Sequence, residues 1–187
     1  MNEARFVEHA LRNFVNSEIL ARLPALGLND CWLVSGGLFQ SVWNVLTHRD
    51  IAHGIKDYDV FYFDPDTSWD AEDAVITRGV ALFADLGVDV EIRNQARVHL
   101  WYAEKFGVAY PPLRSSCEGI DRFLARACMV GLHPGANGLQ LYAPFGLDDV
   151  ETMTLRPNYA ANFSAELYTA KAARWKAMWP ELTVLEA

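Results

Sequence analysis

Cysteine is scarce in this chain: Cys31, Cys117 and Cys128 are far apart and form no CxxC pair. That excludes a disulfide framework and fits reduced, mostly buried thiols in a cytoplasmic protein. Positive charge is also short, with 16 Lys and Arg against 24 Asp and Glu, a net charge of −8. Affinity for long RNA or DNA comes largely from cations neutralising phosphates. The balance therefore disfavours such a partner, while leaving room for a small nucleotide bound through metal. No uncharged apolar run reaches the ~20 residues that a bilayer requires. The opening stretch MNEARFVEHALRNFVNSEIL carries charges throughout, unlike a signal peptide. No membrane partner is expected. Internal repeats and low-complexity segments are missing as well. What remains is 187 residues, 51% hydrophobic and 12% aromatic, ample for one sizeable core.

Apolar residues from Phe6 to Leu23 recur at three- and four-residue steps, which predicts one amphipathic helix closed by Pro24 and Gly27. Cys31 to Ser35 reads as a buried strand and Leu38 to Leu46 as a helix starting just past two glycines. DYDVFYFD, Asp57 to Asp64, is aromatic and β-branched, a good strand. Ala71 to Leu86 continues as a helix, Val88 to Arg93 as a strand, and Gln95 to Phe106 as a helix. Pro111-Pro112 marks the clearest joint, dividing a core over 1–110 from a C-terminal extension over 111–187 packed on it. In the extension, Ser115 with Glu118 predicts a capped helix to about Ala127. Two short strands, Cys128 to Leu132 and Gly138 to Tyr142, flank HPGANG as a hairpin. A final helix runs from about Ser164 to Trp179. The fold class is α+β, a mixed sheet flanked by helices with a helical and hairpin extension.

The chemistry gathers at three places. Ser35-Gly36-Gly37 joins a strand to a helix, where free backbone N–H groups and the helix dipole favour phosphate. Asp57 and Asp59 lie two apart on one strand and share a face. Paired carboxylates aimed at one point repel unless a cation lies between them, and their oxygens suit Mg²⁺. On the next strand Asp89 and Glu91 share a face too, and either can serve as a third acid. A turn that holds phosphate, facing acids that hold metal, is the layout of metal-assisted nucleotidyl or phosphoryl transfer.

The segments WLVSGGLFQSVW, KDYDVFYFD and VDVEIRNQARVHLWYAEKFG resemble the nucleotidyltransferase-fold superfamily, which includes DNA polymerase β, the CCA-adding enzymes and antibiotic nucleotidyltransferases. NQARVHLWY, YAPFGLDD, LRPN and KAARWKAMWPEL extend the likeness over nearly the whole chain, to a bacterial family of small nucleotidyltransferase-like proteins. The resemblance implies a phosphate-facing turn at Ser35, Gly36 and Gly37, and a metal-binding pair at Asp57 and Asp59. It implies Glu91 as the third carboxylate, helping to activate an acceptor hydroxyl. It further implies Mg²⁺ or Mn²⁺ as cofactor, an NTP as substrate, and a small molecule or protein as acceptor. Relatives often carry a basic residue soon after the glycines, where this chain has Phe39-Gln40. Arg49, Lys56 or Arg93 can substitute for that cation, and Lys171, on the last helix, is a further candidate for phosphate in this small protein. The alternative reading is a catalytically silent member acting as a binding or regulatory partner.

Other polar clusters have plainer readings. His48 and His53 in HRDIAH fit a solvated loop, and His99 a satisfied helix position. Arg93, Asn94, Gln95 and Arg97 follow the third-acid strand, near enough to meet a nucleobase or acceptor, with capping and solvation as the structural alternative.

Overall fold

The computed structural model describes all 187 residues. In chain order the elements are α1 (Glu3–Leu11), α2 (Phe14–Arg22), β1 (Trp32–Val34), α3 (Gly36–Leu46), β2 (Tyr58–Tyr62), α4 (Trp69–Phe83), β3 (Val90–Asn94) and α5 (Val98–Phe106). Then follow α6 (Ser116–Ile120), β4 (Gly131–Gly135), β5 (Gly138–Tyr142), α7 (Asp148–Glu151), β6 (Thr154–Leu155), α8 (Ala165–Met178) and β7 (Thr183–Val184). Five strands form one sheet in the order β3-β2-β1-β4-β5, with β2 and β3 parallel and the other pairs antiparallel. The mixed, helix-flanked sheet is the α+β arrangement expected. Strands from both sides of Pro111-Pro112 share it, and one hydrophobic core runs from Phe6 to Leu182.

The N-terminal stretch is two helices, not one. Asn13 adopts an extended backbone, and its side-chain oxygen accepts from the Val15 N–H. Its amide nitrogen donates to Ser41 Oγ and Tyr58 Oη, each at 3.0 Å. A buried polar side chain must be satisfied, and that requirement overrides a periodicity that runs straight through the position. The helix after Ser115 likewise stops at Ile120, short of Ala127. Beyond it, Asn158 Nδ2 takes the carbonyls of Asp121 and Phe123, and Asn162 Nδ2 that of Arg122. Those carbonyls accept from side chains of a distant loop where a continued helix would present them to its own N–H groups. The first strand of the hairpin begins at Gly131 because residues 126–128 form a 3₁₀ turn.

On one side of the sheet, α3 and α8 meet through aromatic edges. Phe39 packs on Trp43 at 4.6 Å and on Trp175 at 5.4 Å between ring centroids, and Trp43 on Trp179 at 5.5 Å. Trp179 is fully buried, and its Nε1 donates to Asn44 Oδ1. Trp179→Ala is expected to cost about 3–5 kcal/mol, the range for a buried large aromatic, as read by urea unfolding followed by circular dichroism.

Candidate active site

Strand alternation decides what faces outward from that core. Tyr58, Val60 and Tyr62 of β2 are buried, which turns Asp59 and Phe61 to the opposite face of the sheet. The parallel register sets Asp59 beside Glu91 and Phe61 beside Arg93. On the other flank, antiparallel pairing sets Asp59 beside Val34, the last residue of β1. The turn at Ser35 therefore starts one residue beyond the Asp59 row.

In that turn Ser35 has φ 53°, a rare conformation for a residue with a side chain. Its N–H donates to the Val130 carbonyl, and its own carbonyl accepts from Leu38 and Phe39. Its hydroxyl caps nothing. Gly36 and Gly37 open α3, where no preceding turn supplies carbonyls for their N–H groups. The two glycines differ in what they do. A Cβ on Gly37 would meet the Tyr58 ring at 2.7 Å and Asn16 Oδ1 at 2.9 Å, so Gly37 is required by packing. A Cβ on Gly36 would meet only the Gln40 amide nitrogen at 3.3 Å. Gln40 is 6% exposed, and its Oε1 has no hydrogen-bond partner. A neutral amide thus stands beside the turn, with no cation there, while Phe39 is wholly in the core.

Asp57 lies just before β2, half-buried, with Lys56 Nζ 3.8 Å from its Oδ2. Burial pushes the Asp59 carboxyl up to about 7, and the charges of Asp57 and Glu91 push the same way. Lys171 and Arg93 pull it down. One carboxyl thus reports four charged neighbours. Arg93 is itself 3.3 Å from Glu91 Oε2. Glu91 shares a cavity with Asp59, whereas Asp89 is exposed and outside it.

That cavity, about 580 Å³, lies against the acidic face of β2 and β3 and is walled by α5, the loop after α6, and α8. Lys171 and Arg174 of α8 line it. Asp57 and the Ser35–Gly37 turn lie outside its lining. Of the polar group after β3, only Arg93 and Gln95 face the cavity. Asn94 is structural, its Oδ1 accepting from the N–H groups of Asp64 and Ala96. Arg97 pairs with Glu72 at 2.7 Å. His53 packs on Trp179 and contacts the Met178 carbonyl, away from the acids.

No three His, Cys, Asp or Glu side chains converge into a metal cluster anywhere in the chain. The donor set still suits Mg²⁺, which is commonly held by one or two carboxylates together with substrate phosphates and not by an all-protein cage. Sequence reasoning missed the far wall: Trp101, Tyr102, Lys105, Tyr110, Arg122 and Asn162. The first three share one side of α5 at three- and four-residue spacing, a legible signal. Arg122 and Asn162 come from loops and carry none.

Residues 21–184 match the sequence profile of a nucleotidyltransferase family. The chain belongs to that family. A solved structure described as "The NMR structure of the protein reveals a CCA-adding enzyme head domain" superposes with a TM-score of 0.79. The match covers 100% of this chain and 97% of the other at 24% identity, and it places the two in one fold. No curated protein matches by sequence. Family membership supports a nucleotidyl-transfer role and an NTP substrate for this nucleotidyltransferase. No helix is long and apolar enough to cross a membrane.

Proposed function

We propose that this nucleotidyltransferase moves a nucleoside monophosphate from an NTP onto a hydroxyl of a small molecule, using Mg²⁺. The observation that carries the reading is the register that sets Asp59 between Glu91 on one side and the Val34–Ser35 turn on the other. The N–H groups of Gly36 and Gly37 receive the triphosphate, at the positive end of α3. Asp57 and Asp59 hold the cation, which when bound neutralises phosphate charge and steadies the leaving pyrophosphate. Lys171 supplies the positive charge that Phe39-Gln40 lacks. Glu91 receives the proton of the acceptor hydroxyl as its oxygen bonds to the α-phosphorus and the α–β bridging P–O bond breaks. A cavity of about 580 Å³ against these acids has the size for a small-molecule acceptor, and the net charge of −8 argues against a long nucleic acid.

Asp57→Ala is expected to lose Mg²⁺-dependent NTP binding. Calorimetry giving equal affinities for the variant and the wild type, with Mg²⁺ present, would make the metal assignment wrong.

A second reading, a silent member acting as a binding partner, is favoured by the uncharged Gln40 amide beside Gly36. Incubation with α-labelled NTPs, Mg²⁺ and cell extract separates the two. Label in a product supports transfer, and no label together with no NTP binding supports the partner.

A further inference from the structure

The cavity collects charge against the trend of the whole protein. Five of its lining residues are cations and only two are acids, in a chain where acids outnumber cations 24 to 16. Arg93 is paired with Glu91, but Lys105, Arg122, Lys171 and Arg174 have no carboxylate partner. Lys171 and Arg174 lie on α8, and Lys171 acts on Asp59, so a triphosphate at the acids accounts for that pair. It does not account for Lys105 and Arg122, which belong to α5 and the loop after α6. Nucleobases are uncharged at neutral pH and need no cation either.

The surroundings of Arg122 look built for a ligand. Its Nε is buried without a hydrogen-bond partner. Asn162, 1% exposed, uses its amide nitrogen on the Arg122 carbonyl and on Tyr102 Oη, and leaves its buried Oδ1 unpartnered. A buried donor and a buried acceptor left open on two lining residues of one cavity each carry a desolvation cost that a ligand would relieve. Flat rings stand around them. Tyr102 and Tyr110 lie 4.4 Å apart between centroids, and Phe61 stacks on Phe123 at 5.5 Å and 18° across the cavity.

We propose that this far end of the cavity is the acceptor subsite, and that it takes a small planar-ring compound bearing a carboxylate or phosphate. Arg122 and Lys105 hold the anionic group, the packed Tyr102–Tyr110 pair offers one aromatic wall to the ring, and Asn162 Oδ1 accepts from a ring N–H or O–H. The assignment of this ligand as acceptor rests on the transfer reading, whereas the anion site itself stands on the cavity alone.

Calorimetry on the full chain with phenyl phosphate, benzoate, phenol and inorganic phosphate tests it. Phenyl phosphate or benzoate should bind at least tenfold more tightly than phenol and inorganic phosphate, and which of the two wins identifies the anion. Binding should persist with Mg²⁺ and a non-hydrolysable NTP at saturation. Arg122→Gln should weaken it about tenfold, with nucleotide affinity within twofold of wild type. The Arg122 side chain makes no bond within the protein, so the variant should fold, which circular dichroism checks; Lys105→Gln, at an exposed position, is the second variant. No ring-anion binding, insensitivity to both substitutions, or competition with the nucleotide would each overturn the proposal. A protein that binds phenyl phosphate through Arg122 yet binds no nucleotide keeps the anion site and removes the transfer reading.

Discussion

Asp59→Asn is expected to abolish transfer and, at the same time, to stabilise the fold above neutral pH. The loss of activity follows if Asp59 holds the cation as proposed, where several kcal/mol of charge stabilisation would be concentrated, on the order of 10³-fold in rate. The gain in stability follows from burial. Burial first, and the charges of Asp57 and Glu91 next, push the folded carboxyl up to about 7, well above the ordinary carboxylate value of about 4. Folding therefore binds a proton between those two values, and stability from this group is fully present below about pH 4. It is lost as pH rises through 7, where the ionised form must be buried beside Asp57 and Glu91. Asparagine has no such cost. Thermal unfolding should show wild type and variant alike near pH 4, and the variant more stable by about 1–2 kcal/mol at pH 8, well under the full value of the shift because Asp59 is partly solvated. Equal stability at both pH values would show that Asp59 is not held in the environment described.

Glu91→Gln should separate chemistry from binding. Glutamine keeps the size and the neighbour contacts but cannot accept a proton. A positioned general base is worth about 10²–10⁴-fold, so the single-turnover rate should drop by that factor while Mg²⁺–NTP affinity stays within a few-fold of wild type. The substitution also removes one of the charges that raise Asp59. The remaining carboxyl therefore ionises at lower pH, and Mg²⁺ binding near pH 6 should improve slightly. Unchanged transfer would return the third-acid role to another residue. The exposed position of Asp89 makes it a poor replacement.

Much of the site can be read from the sequence because it depends on period-two spacing. Asp57, Asp59 and Glu91 are near one another in the chain or on neighbouring strands, and alternation alone assigns their faces. Asp89 and Glu91 look equivalent in sequence, since the alternation puts both on one face; only the strand pairing sets Glu91 beside Asp59. The break between α1 and α2 is invisible for a similar reason, because Asn13 bonds Ser41 and Tyr58, 28 and 45 residues away. Arg122 and Asn162 come together only through a loop that takes helix carbonyls by side-chain amides. Gly36 and Gly37 look equivalent in sequence, yet Tyr58 packing demands only the second. Local pattern points to candidate acids, while strand pairing and long-range contacts determine which of them are neighbours and what faces them.

A crystal structure with Mg²⁺ and a non-hydrolysable NTP tests the central claim most directly. The cation should lie between the phosphates and the carboxylates of Asp57 and Asp59, with phosphate oxygens on the N–H groups of Gly36 and Gly37 and Lys171 Nζ within reach of the chain of phosphates. A nucleotide bound elsewhere, or one bound with no carboxylate touching the metal, would contradict it.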